Sequence, residues 1–291
     1  MSEILRIKNL YKSFGRKKVL EGFNLSLEKG KVYGLLGKNG EGKTTLIRMI
    51  MGIIPADSAQ IFYKDKKVKF SHAAYKTEIG YIPEDPFYYG WMTVHDLLDL
   101  NSSFYPRWNF KKANEYLEGF ALDRKARIRN LSRGMKLKLG LVVALASEPE
   151  LLILDDPTSG IDVPTRHDFL KDVIRELCET GTTVLFSTHL VHELERIVEH
   201  LCILHGGRLI LDEEYQVIRD SARRIRLTFE DSIPEKFGIE GILSEKREGR
   251  IAELVVYPWD LEKERRLDAL LPAYRQIEPL SLEEVFVSFV S

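Results

Sequence analysis

The chain has 291 residues, with 43 lysines and arginines against 44 aspartates and glutamates, for a net charge of −1. That balance excludes a global attraction to nucleic acid or to an anionic membrane, although local patches can still form. With 44% apolar and 30% charged residues, the composition is that of a globular protein long enough for one large domain with an addition, or for two small ones.

The N-terminus "MSEILRIKNLYKSFG" alternates polar and apolar residues and carries charge early, so it reads as neither a signal nor a transit peptide. No apolar run approaches the roughly 20 residues needed to cross a bilayer, so a membrane role would require a partner. Cys178 and Cys202 lack CxxC spacing, which fits a reduced, cytosolic protein. In chain order, "ILRIKNL", "NLSLEKG" and "KVYGLLG" read as strands, with a turn at Gly30. "KTTLIRMIMG" has helical spacing, with Leu46, Ile47, Ile50 and Met51 on one side. Residues 59–70 resemble a hairpin whose charged tip, Lys64 to Lys67, is expected to be solvated. "EIGYIP" is a short strand stopped by Pro83, and helices are expected over 93–104, 109–121 and 132–147. Thr93 and Asp96 form a capping box for the first of these.

Further on, "LLILD", "RHDFLKDVIRELC", "TTVLFST", "VHELERIV" and "LCILHGGRLIL" alternate strand and helix, the pattern of a mostly parallel, doubly wound α/β sheet. From about residue 216 the pattern changes. "RRIRLTFE" and "IAELVVYP" read as strands, "DLEKERRLDALL" as a helix, and "SLEEVFVSFV" as a final helix capped by Ser281 and Glu284. This stretch is expected to be a small α+β appendage of about 75 residues.

"GKNGEGKT", Gly37 to Thr44, fits G-x-x-x-x-G-K-[ST], with an apolar strand before it and a helix after it. Gly37, Gly40 and Gly42 let the backbone curl around a pyrophosphate with its N–H groups pointing inward. The helix N-terminus adds its positive end. Lys43 supplies a point charge for the β- and γ-phosphates, and the Thr44 hydroxyl can ligate Mg²⁺. In "LLILDDPTSGID" a buried strand delivers Asp155 and Asp156 to its carboxyl end, where open α/β sheets bind ligands. Asp155 suits the carboxylate that holds Mg²⁺ in P-loop NTPases. A second adjacent acid is hard to explain without a cation nearby.

Five ordered segments, "GKNGEGKTT", "IGYIPEDP", "NLSRGMK", "LLILDDPTSGID" and "STHL", resemble the ATP-binding subunits of ABC transporters. The resemblance covers about residues 3–215 and leaves 216–291 as an accessory domain. It implies a P-loop NTPase core, an N-terminal antiparallel β-subdomain and a helical signature subdomain over about 86–147. "FYPRW" and the ending "SLEEVFVSFV" look more like the ABC-2 type, export-linked branch. The resemblance also implies ATP and Mg²⁺ as ligands, and a head-to-tail dimer with itself or a homologous ATPase subunit. Integral membrane permease subunits would be the further partners, nucleic acid would not be one, and the chain would sit in the cytoplasm on the inner face of the cell membrane.

The same resemblance assigns residues. Phe14 matches the aromatic that stacks on adenine, although a lone aromatic is more often core. Lys38, Asn39, Glu41 and Thr45 join the loop glycines, Lys43 and Thr44 in the nucleotide set. Ser132 and Gly134 match the signature serine and glycine that face the γ-phosphate across the dimer, and Arg133 and Asp162 join the nucleotide set. A serine at a helix start presents its hydroxyl and N–H groups to an anion, and it can be an N-cap at once. His189 matches the switch histidine that contacts the γ-phosphate. A zinc reading of His189, His192 and Glu193 fails, because H-x-x-H-E is neither H-E-x-x-H nor H-x-x-E-H. His72, His95, His167, His200 and His205 have no partner pattern and read as surface or packing residues.

Three departures from the family pattern bear on the chemistry. Glu84 stands where the family has a glutamine that touches Mg²⁺, and it is carried over as both a metal and a catalytic residue. The signature reads "LSRGM", so the backbone approach rests on Gly134, and Arg133 either reaches phosphate or points into solvent. Asp156 replaces the glutamate that polarises the attacking water. One methylene withdraws the charge by about 1.5 Å, which predicts normal ATP binding with slow hydrolysis.

"PFYYGWMTV" and "FYPRW" suit a docking face for membrane subunits, since aromatics are enriched at hot spots; about half are expected in the core instead. Arg124, Lys125, Arg127 and Arg129 read as a solvated face. The leading reading is thus the ATPase subunit of an export transporter. The alternative is a non-transport ABC ATPase, serving soluble assembly or nucleotide sensing with slow hydrolysis. Long coiled-coil insertions and tandem cassettes, which would mark repair or translation members, are absent from the sequence.

Overall fold

In the computed structural model of the chain, residues 2–69, 74–191, 195 and 197–290 are described, 174–179 by backbone alone. β1 (Glu3–Phe14) and β2 (Lys17–Glu28) pair antiparallel, so that Leu5 faces Leu27 and Ile7 faces Leu25. The strand expected at "NLSLEKG" therefore begins much earlier. The hairpin turns at Gly15, whose φ of 59° suits a residue without Cβ. After β3 (Val32–Leu36) comes α1 (Lys43–Ile50), which buries Leu46, Ile47, Met49 and Ile50. β4 (Ser58–Tyr63) and β5 (Lys66–Val68) complete an antiparallel sheet of order β2-β1-β4-β5.

The hairpin tip is solvated as expected at Asp65, Lys66 and Lys67, which are exposed, while Lys64 is half-buried. It pairs with Glu78 at 2.5 Å and with Glu150, while Lys66 and Lys67 belong to β5. The expected Arg124–Arg129 face is indeed exposed.

β6 (Ile79–Ile82) leads into α2 (Val94–Ser102), α3 (Phe110–Gly119) and α4 (Arg133–Ala146). The expected capping box is present: Thr93 Oγ1 accepts from Asp96 N–H, and Asp96 accepts from Thr93 N–H. Ser132 Oγ caps α4 by accepting from Met135 N–H at 3.2 Å. Gly140 is required where α4 meets the loop after β6, because a Cβ there would lie 2.7 Å from Tyr88 Oη.

β7 (Leu151–Asp155), α5 (Val163–Thr180), β8 (Thr183–Thr188), β9 (His200–His205) and β10 (Arg208–Glu214) finish the central sheet, of order β10-β9-β3-β8-β7-β6. The strands β3, β8, β7 and β6 are parallel neighbours. β3, β7 and β8 are buried along their whole length, as a sheet covered on both faces requires. "LCILHGGRLIL" is two strands rather than one, divided by Gly206 and Gly207 at φ 56° and 75°. The helix expected over 191–198 falls largely outside the described residues, as do His72 and the His192 and Glu193 of the discarded zinc pattern.

The chain divides into two compact units, Met1–His189 with Cys202–Leu209, and Leu190–Leu201 with Ile210–Ser291. The second contains α6 (Tyr215–Ser221), β11 (Arg223–Thr228), β12 (Ile242–Glu248), β13 (Ile251–Val256), α7 (Leu261–Asp268), β14 (Tyr274–Pro279) and α8 (Leu282–Val290). Its antiparallel sheet runs β12-β13-β11-β14 around Ile225, Leu227, Leu254, Val256 and Phe237. Each such buried side chain contributes about 1.5–3 kcal/mol. Glu284 caps α8 through Ser281 N–H at 2.9 Å and also pairs with Arg224.

Candidate functional site

The loop 37–42 leaves β3 at the carboxyl end of the parallel strands. A Cβ on Gly37 would lie 2.8 Å from the Leu204 carbonyl oxygen, and one on Gly42 2.9 Å from Val19 Cγ1. Gly40 and Gly42 have φ of 86° and 109°. Three glycines thus let the loop curl tightly at the start of α1. Inside the curl, Lys43 Nζ donates to the Gly37 and Lys38 carbonyls at 2.6 and 3.3 Å. Burial lowers the Lys43 pKa, opposed by the charges of Asp156, Asp155, Glu41 and Glu84.

β7 brings Asp155 beside this loop. Asp155 Oδ1 accepts from Thr44 Oγ1 at 3.1 Å and from Ser187 Oγ at 2.9 Å. Its Oδ2 is buried and has no hydrogen-bond partner among the described residues. Burial raises the Asp155 pKa, against the hydrogen bonds from Ser187 and Thr44. Asp156 follows at φ 44°, its N–H held by the Ser187 carbonyl at 2.9 Å. Its Oδ2 lies 2.5 Å from His189 Nδ1, and Thr188 Oγ1 donates to Oδ1 at 3.5 Å.

Ten of the expected residues line one cavity of about 540 Å³: Phe14, Asn39, Gly40, Gly42, Lys43, Thr44, Thr45, Glu84, Asp156 and His189. Phe14 is 52% exposed, which settles its position at the cavity rather than in the core. Lys17, Val19 and Ser159 also line it and were not anticipated. The hairpin turn at Gly15, which swings β2 across the loop, was the available signal for the first two. Glu41 departs from the set. Its carboxylate turns to the β9–β10 turn, 3.0 Å from His205 Nδ1 and 2.7 Å from Gly206 N–H. Of the histidines read as surface or packing residues without a partner pattern, His205 thus meets Glu41, His200 meets Asp212 at 2.6 Å, and His95 meets Arg124 and Asp99.

Ser132, Arg133, Gly134 and Asp162 line a separate cavity of about 310 Å³ and share no lining residue with the first. Gly134 is needed there, since a Cβ would lie 2.6 Å from Thr165 Cγ2. Asp162 caps α5, accepting from Thr165 N–H at 3.0 Å and Thr165 Oγ1 at 2.9 Å. The Thr165 bonds hold its pKa below the ordinary carboxylate value.

The glycine curl, the lysine inside it and the acid at the end of a neighbouring parallel strand define a P-loop nucleotide-binding fold. Residues 20–159 match the family described as "ABC transporter". The chain is 31% identical over 285 residues to the ABC transporter ATP-binding protein YtrB of Bacillus subtilis (strain 168), covering 98% of this chain and 97% of that one. It is 34% identical over 233 residues to the bacitracin transport ATP-binding protein BcrA of Bacillus licheniformis, covering 77% and 74%. A crystal structure of a nucleotide-free ATP-binding cassette from an ABC transporter superposes with a TM-score of 0.65 at 28% identity, over 75% of this chain and 94% of that one. The chain belongs to the ATP-binding subunits of the ABC transporter family. Among the described residues, no helix is long and apolar enough to cross a membrane.

Proposed function

We propose that this chain is the ATPase subunit of an export transporter, and that two subunits enclose ATP head to tail. The observation that carries the dimer is the division of the expected residues between two cavities with no lining residue in common. A second chain would bring Ser132, Arg133 and Gly134 to the nucleotide held by the first chain's loop. We take a second copy as the partner, with a homologous subunit as the variant of the same arrangement. Export is supported by the relative named for bacitracin transport.

Magnesium fits the residues present. The buried, unpartnered Asp155 Oδ2 and the adjacent Thr44 hydroxyl are hard oxygen ligands of the kind this ion takes. When bound, the ion would neutralise charge on the phosphates. Lys43 would hold the β- and γ-phosphates, Phe14 would stack on the base, and Glu84 would face the metal. Asp156 would orient the attacking water and His189 would contact the γ-phosphate. Because Asp156 is short and already engaged with His189, turnover is slow.

The docking face for an integral membrane permease is Phe87, Tyr89 and Trp91, which are 85%, 52% and 64% exposed. Their rings contact in sequence at 5.9 and 6.0 Å between centroids. Through this face the subunit would sit on the cytoplasmic side of the membrane. The test is sedimentation of Asp156→Asn with and without Mg²⁺-ATP: doubling of the 33.6 kDa mass is expected, and a monomer with ATP bound would refute the homodimer.

A further inference from the structure

The loop that curls around phosphate carries an acidic side chain, Glu41, in its middle. A carboxylate beside a triphosphate would repel it unless it were turned away and held by hydrogen bonds. Here it is both. Glu41 reaches out of the loop to the β9–β10 turn, accepting from Gly206 N–H at 2.7 Å, with Oε1 3.0 Å from His205 Nδ1. The side chain is 17% exposed, so these contacts are partly shielded from water.

The turn it grips is itself fixed. Gly207 carbonyl accepts from Glu21 N–H at 3.0 Å, and a Cβ on Gly207 would lie 2.7 Å from the Val19 carbonyl oxygen. Val19 in turn presses on Gly42 of the same loop. A second side-chain brace is Lys43, whose ammonium donates to the Gly37 and Lys38 carbonyls from inside the curl. Those bonds compete with phosphate for the same ammonium. The Glu41 bonds lie on the outer side and do not.

We propose that Glu41 is a positioning residue that anchors the phosphate loop to the β9–β10 turn, with the His205 ring as its side-chain partner there, so that the pair sets nucleotide affinity more than turnover. This inference rests on the nucleotide reading of the cavity. Hydrogen bonds to charged groups are worth enough that losing this anchor should weaken binding about tenfold.

The test is equilibrium binding of Mg²⁺-ATP, with steady-state kinetics, for the full-length parent, Glu41→Ala, Glu41→Gln, His205→Ala and Lys43→Ala. Glu41→Ala should raise Kd and KM about tenfold while kcat falls less than about twofold. Glu41→Gln keeps an acceptor for Gly206 N–H and should recover most of the affinity. Exchange of the Gly206 amide should quicken in Glu41→Ala alone. Unchanged affinity in Glu41→Ala, or a loss confined to kcat, overturns the anchor. Should Glu41→Ala not fold, His205→Ala decides: weaker binding supports the pair, and parental binding overturns it. If Lys43→Ala binds ATP as the parent does, the nucleotide reading has failed instead of the anchor.

Discussion

Replacing Asp156 with glutamate should make the enzyme faster. The carboxylate now sits with Oδ2 2.5 Å from His189 Nδ1 and Oδ1 3.5 Å from Thr188 Oγ1, on a residue whose backbone is fixed by Ser187. One added methylene carries the acid about 1.5 Å further into the cavity. A reacting group misplaced by about 1 Å can cost about 10²-fold in rate, or about 2.7 kcal/mol of barrier. Part of that gain is lost in rebuilding the His189 contact, so a rise of at least about tenfold in kcat is expected. The assay is phosphate release from Mg²⁺-ATP, with Lys43→Ala as background. A parent that is already fast, with a glutamate variant equal or slower, would refute the short-reach argument.

Gly134→Ala would push a methyl to 2.6 Å from Thr165 Cγ2, whose hydroxyl and N–H are tied to Asp162; overpacking of about 1–3 kcal/mol should lower Tm, and Thr165→Ser, which removes the Cγ2 but keeps the hydroxyl, should restore it. Glu284 has its pKa lowered, chiefly by Ser281 N–H, with Arg224 adding to it. Its stabilisation is therefore complete above the unfolded-state glutamate pKa and is lost as pH falls through the lower folded value. Glu284→Gln should accordingly reduce Tm near neutral pH and converge with the parent in acid, and a Tm difference that persists in acid would contradict this. Phe87→Ala with Trp91→Ala should leave the isolated subunit's Tm nearly unchanged, because both side chains are exposed, while abolishing copurification with its permease; retained copurification would rule this face out.

The local features of the site were legible because their signals are local. Loop 37–44, its flanking strand and helix, the Thr93 and Ser281 capping boxes and the Ser132 cap are each written within a few consecutive residues. What was hidden depends on contacts between distant segments. Ile7 pairs with Ile61 only because β4 folds back onto β1, and no periodicity announces that. Glu41 and His205 are 164 positions apart, so an unusual acid in the loop gave no hint of its partner. β12, "ILSEKRE", and β14, "YRQIEP", escaped notice because they are half-exposed and charged, and their strand character comes from pairing with β13 and β11. The aromatic segment 86–92 divides by alternation, with Phe87, Tyr89 and Trp91 outward and Tyr88 and Met92 packed, the split expected in kind but not residue by residue.

The proposed dimer builds each working site from the loop of one chain and the Ser132 segment of another. Mixing two inactive variants, Lys43→Ala and Ser132→Arg, tests it most directly, in whichever of the parent or Asp156→Glu backgrounds hydrolyses faster. In a head-to-tail pair, each mixed dimer holds one site with both lesions and one with neither, so freely exchanging subunits should recover about a quarter of the unmodified rate. A mixture as inactive as either variant alone would contradict the shared site.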